Sequence, residues 1–398
     1  MPARSDAVAI PAPSAARSHI ARGGLLALGL LSAGHLFSDL YSGALGALQP
    51  LLVKQFGMSL ASAGILGGVL ACSSSVMQPA YGYLSDRFHT RLFAALGPAL
   101  AGLLISCLGL APSYLWLLVM VAIGGAGIAA FHPQATAQAA LGIQRSRARA
   151  MAIFISAGSL GYALGPTYFS VITERVGLGR TWWAAIPGVL ISALMLLLLP
   201  APERHKKSRS GFDWPALGAV WRPLTILYVL VFIRSIIQIS FAQFIPLYLF
   251  RERGFALDRA SYTLTGYLGF GALGGFIGGH LADRFGGRRV ITISMLGSAP
   301  FLALFFFAGG WWSIAGLWAG GLILLFTVPV NVVMAQELVP SQAGTISALM
   351  MGFAWGMAGL VFIPLVGWAS DLFSMHHALA ALTVFPLAGF FLSLRLEK

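Results

Sequence analysis

The sequence predicts an all-α integral membrane protein with twelve transmembrane helices in two pseudo-symmetric six-helix bundles. Three observations carry that expectation. Of 398 residues, 58% are hydrophobic and only 9% charged, whereas soluble domains carry about 25% charged residues. A soluble enzyme and a disordered chain are both excluded. Apolar runs long enough to cross a bilayer recur along the whole chain, and a short charged motif returns at an offset close to half its length.

The apolar runs fall at residues 25–52, 61–84, 92–111, 114–140, 148–173, 181–199, 224–250, 261–282, 290–308, 313–334, 343–370 and 375–394. A helix crosses about 30 Å of hydrocarbon in roughly 20 residues, and in lipid each backbone group must pair within its own segment, so these runs read as helices. Residues 1–22, rich in Pro, Ala and Arg, are an N-terminal tail before the first bundle, 23–199. Residues 200–223, polar, basic and interrupted by prolines, are a linker to the second bundle, 224–398. With no apolar stretch before Arg22, no cleavable signal peptide is expected.

The basic residues set orientation. Of 25 Lys and Arg, 18 lie in segments on the same side as both termini, six lie on the other side, and Arg234 lies inside a span. Cytoplasmic loops carry the excess of Lys and Arg, so both termini are expected in the cytoplasm. The net charge of +13 is accounted for by this arrangement and calls for no nucleic-acid partner. Cys72 and Cys107 sit inside apolar runs and offer neither a disulfide framework nor metal-ligand spacing. The pairs Gly67-Gly68, Gly124-Gly125 and Gly274-Gly275 also lie within spans. No strand precedes them, so they are not phosphate-cradling loops. Trp311 and Trp312 open a span, as interfacial anchors do.

Gly82-Tyr-Leu-Ser-Asp86-Arg87-Phe88 follows the second span, and Gly279-His-Leu-Ala-Asp283-Arg284-Phe285 follows the eighth, 197 residues later. The same offset maps Glu174 onto Asp371, each ending a span. Repeats of this kind place a binding site between the two bundles near the midplane.

The run from Gly279 to Arg289, with Arg288 and Arg289 completing it, resembles the loop signature of the major facilitator superfamily. In the first copy Arg91 remains, but His89 and Thr90 replace the expected glycine and first basic residue. A narrower set is similar to the fosmidomycin resistance family within that superfamily: Gly34-His35 with Asp39 and Tyr41, Gln78-Pro79, Phe131-His132-Pro133, and Gln336-Glu337 with Pro340. The resemblance implies a bacterial inner-membrane exporter, not an enzyme. It would move a small anionic compound such as fosmidomycin against inward proton flow, need no cofactor beyond the proton gradient, and work as a monomer with protons and membrane lipids as its other partners. It also implies that Gly82, Asp86, Arg87 and Arg91, with Gly279, Asp283, Arg284, Arg288 and Arg289, form cytoplasmic locks that break between conformational states. A carboxylate in such a lock gains from the positive end of a facing helix.

Asp39 is the single acid expected inside a span, and an intramembrane carboxylate that is neither paired nor wet is costly, so it reads as functional. His35, four residues earlier, shares its helical face. His132, next to helix-bending Pro133, is a third group able to carry protons near neutral pH. Arg234 is the single cation inside a span. Subtracting the offset places it beside residue 37, at the depth of Asp39. Arginine grips phosphonates and carboxylates in bidentate fashion. Arg234 is therefore expected to hold the substrate, or to pair with Asp39 until protonation or substrate releases it. Tyr41, Gln238 and Asn331 join Arg234 as expected substrate-binding residues. Gly161, Gly165 and Pro166 form a small-residue face and a bend for close helix packing, with Gly352 and Gly356 as their mirror on the eleventh span. A second transport reading, proton symport of an anionic metabolite, stays open.

Overall fold

The computed structural model describes residues 15–88, 90–139, 141, 143, 147–199 and 214–396. His89, most of the N-terminal tail and most of the linker lie outside the described residues. Among the described residues, ten helices are long and apolar enough to cross a membrane by length and composition. Leu92–Ser106 is a shorter apolar helix, and Leu257–Phe285 has the length but carries Asp258, Arg259, Asp283 and Arg284 near its ends. Together they give the expected twelve: α1 Gly24–Phe56, α2 Leu60–Phe88, α3 Leu92–Ser106, α4 Tyr114–Gln138, α5 Arg147–Val176, α6 Leu178–Leu198, α7 Trp221–Arg251, α8 Leu257–Phe285, α9 Gly287–Phe307, α10 Gly310–Leu338, α11 Pro340–Leu372 and α12 Met375–Ser393. Part of the segment expected as linker is helical, Trp214–Ala219, and α7 starts a turn earlier than the apolar run suggested, because Trp221 and Arg222 extend it.

Among the described residues, three helices depart from regular geometry near the centre. α1 breaks at Gly43 and resumes at Ala44. α2 contains a π-turn at Cys72–Val76, and α11 contains one at Ala348–Phe353. π-Turns widen a helix locally and are frequent at functional sites.

α5 lies backbone to backbone on α1. A Cβ at Gly161 would overlap the Leu36 carbonyl oxygen, and one at Gly165 the Leu40 carbonyl oxygen. At Gly161 and Gly165 the partner of α5 is the helix that bears Asp39. Gly356 does not mirror this contact. It packs on Val76 and Ser75 of α2, across the two bundles, while Gly352 approaches only Gln78.

The bundles are joined at the end opposite the loop motifs. Both carboxylate oxygens of Asp371, at the end of α11, accept from the start of α2: Leu60 N–H at 2.9 Å and Ala61 N–H at 2.7 Å. These are two of the amides that a helix start leaves without an internal partner, and the carboxylate also meets the positive end of the dipole. Repeat symmetry would give the other edge the same latch through Glu174, but the counterpart of Ala61 there is Asp258, an acid. That edge is held instead by a 2.8 Å hydrogen bond between Thr167 of α5 and Thr265 of α8. Gly64 and Gly367 complete the seam, where a Cβ would run into the Ile363 and Leu60 carbonyl oxygens.

Gly161→Ala should therefore destabilise the protein by about 1–3 kcal/mol through overpacking. Gly269→Ala, which meets nothing within 4 Å, should be neutral or slightly stabilising through helix propensity. Thermal unfolding of the purified protein in detergent compares the two; equal shifts would contradict the α1–α5 contact.

Candidate functional site: a histidine–aspartate cluster facing a buried arginine

Asp39 lies one turn before the Gly43 break, and its carboxylate sits between two imidazoles. His35 Nε2 is 3.3 Å from Oδ2 and His132 Nε2 is 3.1 Å from Oδ1. α1 supplies His35 and Asp39, and α4 supplies His132 from the helix that Pro133 bends. The three sequence-predicted proton groups thus converge. The Asp39 side chain is 19% and the His132 side chain 20% exposed, so the cluster is not sealed on all sides.

The tautomers follow from the partners. His35 Nδ1 is 2.8 Å from the Phe154 carbonyl oxygen, and His132 Nδ1 is 2.8 Å from the Ile128 carbonyl oxygen. A carbonyl only accepts, so each Nδ1 carries its hydrogen and donates it. A carboxylate also only accepts. Each Nε2–carboxylate contact therefore needs a proton of its own. With two protons, both contacts attract; with one, a ring lone pair faces a carboxylate oxygen; with none, both contacts repel. The polar atoms all lie within 4.8 Å of one another, and both Nε2–carboxylate contacts have direct hydrogen-bond lengths.

α5 shapes this pocket through three residues that sequence reasoning missed, at a spacing of four: Phe154, Gly158 and Tyr162. The Phe154 ring stacks on His35 at 4.3 Å. Gly158 leaves the space that the His35 ring fills, since a Cβ there would overlap it. Tyr162 lies within electrostatic reach of Asp39. The i, i+4, i+8 pattern was readable in the sequence, but its meaning required knowing that α5 lies on α1.

Arg234 is 5% exposed and points into the protein, away from lipid. It does not pair with Asp39, contrary to one of the two expectations for it. Its Nη1 donates to Gln238 Oε1 at 2.7 Å, its guanidinium lies 5.7 Å from the Trp355 ring centroid, and its Nε has no partner among the described residues. Asp39 is already satisfied by two nearer imidazoles, and the rings of Tyr162 and Trp355 stand between the bundles. Among the described residues, other polar groups without a partner on this half include the Gln243 amide nitrogen, the Tyr267 hydroxyl and both amide atoms of Asn331. Each costs desolvation free energy until something binds it.

Tyr41, expected in the binding set, has its hydroxyl committed to backbone instead. It is fully buried, its hydroxyl donates to the Ala184 carbonyl at 3.0 Å and accepts from Gly188 N–H at 3.0 Å, and it therefore fastens α1 to α6. The loop-motif residues hold their own halves. Arg91 donates to the Leu199 carbonyl, and Arg288 donates to the Leu394 carbonyl at 2.9 Å. Gly82 packs on Pro133 and Gly279 on Pro329, the same contact in each bundle. Asp86 and Arg87 are exposed. Asp283, Arg284 and Arg289 are exposed and make no hydrogen bond or ion pair among the described residues.

The model of the Major Facilitator Superfamily matches residues 31–270 and 227–398. The chain belongs to that superfamily. It is 29% identical over 386 residues to the fosmidomycin resistance protein of Escherichia coli (strain K12), covering 95% of this chain and 94% of that one. It is 30% identical over 364 residues to the uncharacterised transporter YfnC of Bacillus subtilis (strain 168), covering 89% of each. Among solved structures, a bacterial homologue of the human lysosomal transporter Spinster, in an inward-facing and occupied conformation, superposes with a TM-score of 0.76 at 17% identity, over 97% of this chain and 98% of that one. The protein is a multi-pass membrane transporter, with the fold of a family of transporters and not of enzymes.

Gly158→Ala should displace the His35 ring and break its contact with Asp39. Proton uptake by the purified protein on acidification should then fall to that of His35→Ala. Uptake equal to wild type would contradict the fitted pocket.

Proposed function

We propose that the protein is a proton-coupled exporter of small anionic compounds, fosmidomycin-like phosphonates among them. In this reading it works by alternating access as a monomer in the bacterial inner membrane, with both termini cytoplasmic. One observation carries the reading: a His35–Asp39–His132 cluster lies on one bundle, and on the other lies a buried Arg234 whose Nε has no partner among the described residues. The likeness to a fosmidomycin resistance protein over nearly the whole chain supports export and an anionic cargo.

With the loop motifs cytoplasmic, the joined end is periplasmic and the site is reached from inside. An oxyanion entering there meets Arg234, whose planar guanidinium takes two oxygens at once. Gln238, Gln243, Tyr267 and Asn331 offer the remaining hydrogen bonds. Opening outward requires Asp371 to release the start of α2 and Thr167 to part from Thr265. The carboxylates of Asp86 and Asp283 then serve as locks on the cytoplasmic face. Protons load the cluster from outside and leave it inside. Each ligand drives the cycle only through its different affinity for the two states.

One observation favours the second reading, proton symport of an anionic metabolite. Arg234 and the protonated histidines carry charge of the same sign, so an anion bound at Arg234 stabilises protons on the cluster.

Everted vesicles, whose lumen is the periplasmic side, separate the two readings: protons leaving an acidified lumen should carry labelled fosmidomycin out with them under symport and drive it in under antiport. For an exporter in everted vesicles, acidifying the lumen should therefore fill the vesicle with drug, and emptying it would establish symport. Asp39→Asn should abolish this gradient-driven movement while leaving downhill exchange. Arg234→Ala should weaken phosphonate binding by about 1.5–3 kcal/mol, the cost of a charge-assisted hydrogen bond. Unaltered binding would remove Arg234 from the site.

A further inference from the structure

The cluster and Arg234 are on different bundles and do not touch, yet coupling requires that one respond to the other. We propose that the ring contact between Tyr162 and Trp355 is the joint that transmits the protonation state of the cluster to the arginine side. The inference rests on the proton-coupled reading.

On the first bundle, Tyr162 cannot shift independently of Asp39. The glycines on either side of it in α5, Gly161 and Gly165, hold that helix against the carbonyls of α1, and a Cβ at Gly43 would run into the Tyr162 carbonyl oxygen itself. Tyr162 also senses the Asp39 charge electrostatically. On the second bundle, Trp355 of α11 carries the guanidinium of Arg234 over its face. The Tyr162 and Trp355 rings meet edge to face, with centroids 6.2 Å apart at 73°. Aromatic pairs favour this arrangement because the positive edge of one ring meets the negative face of the other. The same negative face attracts the Arg234 cation. Movement at either end of the chain Asp39–Tyr162–Trp355–Arg234 therefore changes the contact in the middle.

Two further observations support the joint. Tyr162 and Trp355 both line a cavity of about 30 Å³ between the bundles, together with Ser42, Ser74 and Gln243. That is room for a water and little else, so the rings sit where the halves must slide. The repeat offset places Gly158 at the position of Trp355 and Gly359 at the position of Tyr162. Each bundle thus supplies one ring and one glycine, and a single pair is formed rather than two.

The titratable and charged groups that face Asp39 are His35 on its own helix, His132 on α4 and Tyr162 on α5. Beyond Tyr162 stand Tyr267 of α8, in reach of both Tyr162 and Arg234, and Arg234 itself.

The test reads conformation, so it needs no known substrate. Spin labels at Glu174→Cys and Arg259→Cys, with Cys72→Ser and Cys107→Ser, report the separation of the bundles in the full chain in nanodiscs at about pH 5.5 and about pH 8, on either side of the ordinary histidine range. The parent protein should change its ratio of two distance populations by about 5-fold or more, the usual lower bound of allosteric coupling. Tyr162→Leu and Trp355→Leu should reduce the change to less than about twofold, while Tyr162→Phe, which keeps the ring edge, retains it. If Tyr162→Leu does not fold, Trp355→Leu carries the test. An undiminished response in the Leu variants, or a response lost equally in Tyr162→Phe, overturns the joint. A parent that ignores pH, or an Asp39→Asn protein that responds as the parent does, overturns the proton-coupled reading beneath it.

Discussion

The arrangement depends on one interaction: a carboxylate in the middle of a membrane protein held between two imidazoles whose outer nitrogens are already committed to backbone carbonyls. An unpaired Asp39 would be among the costliest groups a span can carry. With His35 and His132 on either side it becomes tolerable, and its tolerability varies with proton count. Much of the first bundle serves this contact. The Phe154 carbonyl and ring orient His35, Gly158 makes room for it, Ile128 orients His132, and the α1–α5 glycine rail keeps the parts in register.

The second bundle repeats the framework without repeating the chemistry. Adding the offset to His35 and Asp39 gives Phe232 and Ile236, apolar residues, and subtracting it from Arg234 gives Phe37. One half therefore holds the His–Asp–His cluster and the other the buried cation. The same asymmetry appears at the joined end, where Asp371 caps α2 but its counterpart Glu174 is matched with a helix that opens on Asp258. The duplicated helices keep the framework, and the divergence of a few side chains sets the two halves apart.

Composition and spacing made the helix number, the repeat and the loop motifs legible, because lipid leaves little freedom in how an apolar run can fold. The individual acids and bases inside spans were legible for the same reason: Asp39 and Arg234 stand out against an apolar background. Their partners were less so. The offset predicted that Asp39 and Arg234 share a depth, but depth says nothing of rotation about the helix axis, and rotation turned Asp39 toward His132 and Arg234 toward Trp355. Tyr41 looked like a cavity residue because a polar group in a span draws attention, although a buried hydroxyl is as well satisfied by a backbone carbonyl, here that of Ala184. Phe154, Gly158, Tyr162 and Trp355 were silent because aromatic and small residues are common in any span, and their role exists only once two helices are placed side by side.

The most direct test of the central claim is the ¹⁵N spectrum of the protein labelled at histidine, with His35 and His132 assigned through His35→Gln and His132→Gln. The account requires a hydrogen on Nδ1 of both rings at every pH, and gain of a proton at Nε2 as the pH falls. A ring found with a bare Nδ1 and a protonated Nε2, or two rings whose spectra ignore pH between about 5 and 8, would contradict it.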